Sequence, residues 1–283
     1  MTASNLFKYC QPAHGLVLFK HHQPLEFNLE QLSDLLQTAQ GWFDVRDTCA
    51  PCRTPLTFKH IQPIIFVSLS PPLTPQTASA AHPEAQHPLL IWNVLHRAGA
   101  SQYHGHAQVL LSDAPFPTPA AHAAAAAAYQ TRHGVAALDD QLAVADALGL
   151  LQCVKAGPPG GEAVAWVAPA LAPSKDMEVV VHGGQGAGLD CPALHVALFF
   201  VLRALIDVLG VQTWNLAVYN VPLARHAPER IVVRCVYDYV GDECGSGISH
   251  AGWFHEASWR RWRAILGPLR CLEGRPLLRQ THS

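Results

Sequence analysis

Between Asn93 and Ser112, His104, His106 and Gln108 alternate with Gly105 and Ala107 in a largely apolar run, so in an extended chain the three polar side chains share one face. An imidazole held on a strand, with a second imidazole and an amide two residues to either side, can attack phosphorus while the neighbouring donors stabilise the charge that develops. The Gly99-Ala-Ser101 turn just ahead adds small residues and a hydroxyl to the same neighbourhood. For so short a motif the alternative is a pair of ordinary surface histidines, in a chain that has 17 of them.

The elements that must position this face are readable from periodicity. Leu89 to Val94 and Gln108 to Ser112 are apolar strands on either side of the Gly-Ala-Ser turn, a hairpin with His-x-His at the start of its second arm. His14 to Lys20 reads as a strand, and Phe27 to Phe43, with Leu29, Leu32, Leu35, Leu36 and Ala39 at helical spacing, as an amphipathic helix. Asp47 to Pro63 reads as a loop, Ile64 to Leu69 as a strand, Pro71 to Pro88 as a Pro/Ala/Ser/Thr linker and Ala120 to Thr131 as an alanine-rich helix.

A second series of similar order follows. Gly157 to Gly161 leads into strands at Ala163 to Ala168 and Met177 to His182. Then come a glycine loop from Gly183 to Gly188 and a long helix from Pro192 to Leu209, with Asp190 as its expected cap. Thr213 to Tyr219 and Arg230 to Tyr239 read as antiparallel strands and Ser258 to Leu266 as a terminal helix. Strand, helix, strand, strand thus occurs twice. The expectation is an α+β protein of two similar halves, residues 1–131 with the motif and residues 132–283 without it, joined near residues 132–160.

Composition narrows the function. The 283 residues are 49% hydrophobic and 14% charged, with a formal net charge of -2 and no basic cluster, which argues against a nucleic-acid polymer as partner and leaves room for a nucleotide pocket. The apolar stretch near Ala193 to Gly210 is broken by His195, Arg203 and Asp207, so no membrane span is expected. No charged start followed by an apolar core is visible at the N-terminus, so a cytoplasmic setting is expected, with the eight scattered cysteines mostly free thiols.

Asn93, Gly99-Ala-Ser101 and His104-Gly-His106-Ala-Gln108 together resemble the active-site segment of the histidine-triad superfamily, in the branch where glutamine replaces the third histidine. That branch includes galactose-1-phosphate uridylyltransferases and diadenosine tetraphosphate phosphorylases, and the motif does not separate the two. Leu16 to Leu25 with the helix after it, Ala163 to Pro169, the stretch to Val181, the Pro192 helix and Trp214 to Tyr219 follow the uridylyltransferase order as well. The resemblance implies tandem histidine-triad-like repeats, each an antiparallel sheet with helices packed on it. It also implies transfer of a nucleoside monophosphate from a nucleoside diphosphate sugar or dinucleoside polyphosphate, and a homodimer.

Carried onto this sequence, the resemblance makes His106 the nucleophile that forms a covalent nucleotidyl-imidazole. The Gly105 carbonyl is expected to accept the proton of its other ring nitrogen. Gln108 and Ser101 would donate to phosphate oxygens, Asn93 would help hold the nucleotide, and the amides of Gly99, Ala100 and Ser101 would line the anion site. His104 matches a position that is a metal ligand in some relatives and a packing residue in others. Cys49-Ala-Pro-Cys52 follows the first strand and helix here and precedes them in metal-containing relatives; with His22 and His104 it could form a tetrahedral structural zinc site, or remain a pair of loop thiols. No second-half histidines match those that hold iron in relatives, so no iron is expected.

Other segments carry less. Gly183 to Gly188 lacks the Lys-Ser or Lys-Thr of a phosphate loop, and Gly241 to Gly245 with Ser246 and His250 lacks the Gly-x-Ser-x-Gly elbow. Trp253, Trp259 and Trp262 read as a packing cluster. Beside the transferase stand two alternatives, a nucleotide-binding relative that has lost catalysis and a nucleotide hydrolase.

Overall fold

The computed structural model describes residues 10, 12–44, 81–158, 160–170, 177–223 and 231–237. Within them the strands are β1 (Pro12–Leu18), β2 (His87–Val94), β3 (His106–Ser112), β4 (Gln152–Ala156), β5 (Ala163–Pro169), β6 (Met177–Gly183), β7 (Trp214–Tyr219) and β8 (Val232–Tyr237). The helices are α1 (Leu29–Phe43), α2 (Pro117–His133), α3 (Ala137–Ala147) and α4 (Pro192–Arg203). The expected elements at Ile64 to Leu69 and Ser258 to Leu266, the Cys49-Ala-Pro-Cys52 loop, the three tryptophans and the Gly241 to His250 stretch lie outside the described residues.

All eight strands join one antiparallel sheet in the order β1-β3-β2-β7-β8-β6-β5-β4. The two repeats are therefore fused edge to edge through β2 and β7, where Asn93 pairs with Asn215 and Ile91 with Ala217. A two-fold axis through the Ile91–Ala217 pair follows from the register. It carries β2 onto β7, β3 onto β8 and β1 onto β6, with β5 and β4 added at the second edge.

Alternation in each strand gives the sheet two unlike faces. One carries Val17, Val109, Trp92, Trp214, Leu216, Val233, Val181 and Val167, all buried in the main core. Both α1 and α4 cover it, α1 over β1 and β3, α4 over β4, β5 and β6, and the two helices pack against each other. The opposite face carries His106, Gln108, Asn93, Asn215 and Arg234, with a small apolar cluster of Cys10, Leu89 and Leu110.

α1 forms where expected. Asn28 and Gln31 close a capping box, Gln31 N–H donating to Asn28 Oδ1 at 2.8 Å and Asn28 N–H to Gln31 Oε1 at 2.9 Å. Its buried stripe of Leu32, Leu35, Leu36, Ala39 and Phe43 follows the predicted periodicity. Gln40 lies in the same stripe and ties α1 to the second half, donating to Pro222 O at 3.1 Å and accepting from Leu189 N–H at 2.8 Å. Arg203 on α4 makes a similar link, donating to Leu25 O at 2.7 Å while its guanidinium lies over the Phe27 ring.

Two elements escape the sequence pattern: α3 and β4 occupy the stretch read as a simple connection. The long helix from Pro192 ends at Arg203 and continues as a single π turn over Ala204–Val208. Asp190 does not cap it; Cys191 holds the cap position and no side chain bonds to the first turn, where Pro192 already lacks an N–H. Among the described residues, Cys191 and Cys235 are free thiols, and burial pushes the Cys235 thiol far above its ordinary range. No helix among the described residues is long and apolar enough to cross a membrane.

His195 gives the fold a signature in pH. It is buried on α4 and donates from Nε2 to Leu189 O at 2.6 Å. Burial pulls its pKa below the ordinary histidine value, against the opposing effects of that hydrogen bond and of Asp190. The unfolded chain then binds this proton more readily, so the stability His195 contributes is complete above a pH of about 6.5 and declines as pH falls toward its folded pKa. Urea denaturation should show a stability loss as pH falls below about 6.5 that shrinks in His195→Gln. An equal loss in both proteins would rule His195 out as its source.

Candidate active site

The site begins with a glycine that lets two strands meet. Phe19, just past β1, donates its N–H to Gly105 O at 3.0 Å, extending the β1–β3 pairing to the start of the motif. A Cβ on Gly105 would stand 2.5 Å from Phe19 Cδ2 and 3.2 Å from Pro24 Cα. Only a residue without a side chain permits that approach. The expected partner of the His106 ring is displaced by one residue: His106 Nδ1 donates to His104 O at 2.8 Å, while Gly105 O takes the strand bond.

That hydrogen bond sets the chemistry of the ring. With the proton on Nδ1, His106 presents Nε2 as a lone pair, which has no hydrogen-bond partner among the described residues. The carbonyl behind it supports the positive charge that would develop as Nε2 forms a bond. Gln108 lies two residues on, and its Oε1 is met by His14 Nε2 at 3.0 Å. The Gln108 amide nitrogen has no partner among the described residues.

The β2–β3 pairing ends with Ile91 opposite Gln108, and Asn93 lies two residues further along β2 on the same face as Ile91. Its Oδ1 accepts from Asn215 Nδ2 at 2.8 Å, and Asn215 also donates to Ala98 O at 2.6 Å. Asn215, in the second repeat, is a site residue that pattern reading of the motif did not reach. The only hint in the sequence is a single asparagine in a strand otherwise reading Trp-x-Leu-Ala-Val-Tyr.

The turn between the two strands behaves differently from expectation. His96–Ala98 form a 3-10 turn, Leu95 has φ 65° and Gly99 has φ 84°. Gly99 N–H donates to His96 O at 2.9 Å and Ala100 N–H to Leu95 O at 3.1 Å, so these two amides are committed within the turn and cannot line an anion site. Ser101 is exposed at the head of the loop and keeps its donors available among the described residues. The side-chain donors here without a partner among the described residues are those of Gln108, Asn93 and Ser101.

His104 faces away from this group. Its Nε2 donates to Phe19 O at 2.7 Å, and its Nδ1 lies 3.1 Å from Nδ1 of His22. The His22 ring also packs at 5.1 Å from that of Tyr103, whose hydroxyl donates to Gln23 at 2.9 Å. Among the described residues no three His, Cys, Asp or Glu side chains gather as metal ligands.

The two-fold through Ile91 and Ala217 carries His106 onto Val232, Gln108 onto Arg234 and His14 onto Glu178. In the second repeat a fully buried Glu178 forms an ion pair with Arg234, which also donates to His122 of α2 at 3.1 Å. Burial, and then the charge of Arg234, lower the pKa of His122. Val232 thus stands in the second repeat where the first has His106.

No family profile matches the sequence and no curated protein matches it in sequence. Solved structures do match in fold. A uridylyltransferase superposes with a TM-score of 0.58 at 14% identity, over 96% of this chain and 80% of its own. The fold is that of the uridylyltransferases. A mutant uridylyltransferase gives a TM-score of 0.60 at 14% identity, over 96% and 84% of the two chains. An ADP-glucose phosphorylase from Arabidopsis thaliana with bound ADP-glucose gives 0.57 at 13% identity, over 92% and 80%. Within the uridylyltransferase fold this chain therefore keeps one complete motif, on β3 of the first repeat.

Gly105→Ala tests the close approach on which the motif depends. Moving Phe19 or the Pro24 backbone to admit a methyl group should cost about 1–3 kcal/mol. Urea denaturation measures it, and a variant as stable as the parent protein would contradict the packing described.

Proposed function

We propose that this protein transfers a nucleoside monophosphate between phosphate acceptors through a covalent intermediate on His106. One observation carries the reading: the His104 carbonyl holds the Nδ1 proton of His106 and leaves Nε2 as a lone pair on the open face of the sheet. In the first step Nε2 attacks the α-phosphorus of a nucleoside diphosphate sugar or dinucleoside polyphosphate. The P–N bond forms as the bond to the departing sugar phosphate or nucleotide breaks. In the second step an oxygen of phosphate or of a sugar phosphate attacks the same phosphorus, the P–N bond breaks and the lone pair returns to Nε2. Gln108, Asn93 and Ser101 supply uncharged donors to the phosphate oxygens, which leaves the imidazole nucleophilic.

Similarity in fold to uridylyltransferases and to a phosphorylase seen with ADP-glucose supports a sugar nucleotide as the donor. The same reading includes a homodimer in the cytoplasm, two repeats meeting near residues 131 and 132, and no nucleic-acid polymer as partner. Incubation with radiolabelled UDP-glucose, ADP-glucose, a GDP-sugar or diadenosine tetraphosphate should leave acid-labile label on the protein, and His106→Asn should abolish it. Absence of label with every donor would sink the reading. In that case nucleotide-dependent thermal stabilisation without turnover would favour a binding protein. Release of free monophosphate without an acceptor would favour a hydrolase.

A structural zinc held by Cys49, Cys52, His22 and His104 is part of the proposal. Two imidazole nitrogens 3.1 Å apart, with the far nitrogen of His104 tied to the Phe19 carbonyl, suit two ligands of one tetrahedral ion; the two cysteines lie outside the described residues. Such an ion would brace the chain entering β3 and take no part in phosphoryl transfer. Elemental analysis should find one zinc per chain, lost in Cys52→Ser, and a chelator should lower the melting temperature. Metal-free protein with an unchanged melting temperature would refute the site.

A further inference from the structure

An amide has two ends, and which end meets a phosphate decides whether a glutamine attracts it or repels it. If Gln108 turns its NH2 outward it stabilises the charge on phosphorus-bound oxygens; turned through half a rotation, it presents a carbonyl lone pair to the same anion. The two orientations have nearly the same shape, so packing alone does not choose between them. The choice falls to whatever holds the inner end of the amide.

That inner end is held by one group. His14, on β1, lies diagonally across from Gln108, since Leu16 is its direct partner and His14 pairs with Leu110. Its Nε2 stands 3.0 Å from Gln108 Oε1, and both side chains are more than nine-tenths buried. With Oε1 turned inward, as it stands in the structure, an oxygen lone pair facing a second lone pair at that distance would be strongly unfavourable, so this arrangement goes with a proton on Nε2 of His14. An imidazole N–H donating inward leaves the amide NH2 no place except the open face.

The fold repeats the arrangement. Under the two-fold, Glu178 takes the place of His14 and Arg234 that of Gln108, and the two are joined as well. In both repeats a buried residue of the outer strand fixes the side chain of the inner strand at the position two residues beyond the nucleophile's place. Donor and acceptor are exchanged: Glu178 accepts from a guanidinium, whereas His14 donates to an amide carbonyl.

We infer that His14, outside the motif, is the positioning residue that locks the Gln108 amide with its NH2 toward the transferred phosphate. The inference rests on the nucleotidyl-transfer reading for its catalytic consequence. The lock itself is a statement about a hydrogen bond.

Two measurements test it. In rapid-quench labelling of His106, His14→Leu should slow label transfer by about 10²-fold, as Gln108→Leu should, with substrate affinity changed much less. Combining the two substitutions should cost no more than either alone, because both remove the same oriented donor. His14→Gln, which can still donate to Oε1, should recover most of the rate, whereas a merely structural role for the ring would not be rescued by an amide. A cooperatively melting His14→Leu that labels at the parental rate, or a double variant whose losses multiply, would overturn the lock.

The second measurement needs no turnover. Long-range proton–nitrogen NMR of the intact protein should find His14 protonated on Nε2, with that signal shifted in Gln108→Leu. A His14 ring protonated on Nδ1 alone would overturn the inference even in an active enzyme. Failure of every donor to label the parent protein would instead count against nucleotidyl transfer and leave the NMR result to judge the lock.

Discussion

The pairing of β2 with β7 is the constraint from which the rest of the molecule follows. Residues on opposite sides of a strand are tied to one another, since a slip of one position would exchange the faces of the whole strand. Trp92 and Trp214 sit on the helix-covered side of that junction, fully buried, with ring centroids 4.7 Å apart. Their burial obliges the next residues, Asn93 and Asn215, to face the other way, where they pair side by side and hydrogen-bond at 2.8 Å. The apolar demand of the core therefore places polar amides on the open face, and it does so at the seam between the repeats.

On that face the two repeats have diverged within one geometry. The first has histidine, glutamine and a buried imidazole where the second has Val232, Arg234 and Glu178. A guanidinium paired with a buried carboxylate is a closed interaction that satisfies both partners. An imidazole with one nitrogen bonded inward and the other bare is an open one. Fusion of the repeats gives the open site support that one repeat would lack, because Asn215 reaches across the seam to hold both Asn93 and the turn at Ala98.

Much of this was legible in the sequence because apolar periodicity is strong wherever an element packs against the core. The strands about His14, Leu89, Gln108, Ala163, Met177, Trp214 and Val232, the Leu-rich α1 and the alanine-rich α2 all lie within a few residues of their expected places. α3 was not legible, since Ala145 is its one buried residue and leaves no stripe to detect. β4 was hidden because five residues at the sheet edge, Gln152–Ala156, show little alternation. The end of the long apolar helix was missed for the opposite reason: residues past Arg203 remain apolar through the π turn, so hydrophobicity does not mark the change of winding.

The sequence by itself determined which residues could react. His106 and Gln108, two apart on β3, share one face as their spacing requires, and the glycine between the histidines is the sole residue type that lets Phe19 approach; His104, ahead of the strand, turns instead to Phe19. Only the tertiary structure decided how each is wired. The proton of His106 goes to the carbonyl of His104, and the carbonyl of Gly105 pairs with β1 through Phe19. Two of the three turn amides expected to bind an anion, those of Gly99 and Ala100, are consumed by the turn itself. His14 and Asn215, distant in sequence and silent as motifs, become partners of the site because hydrogen bonds between strands depend on register across the sheet, which local sequence does not encode.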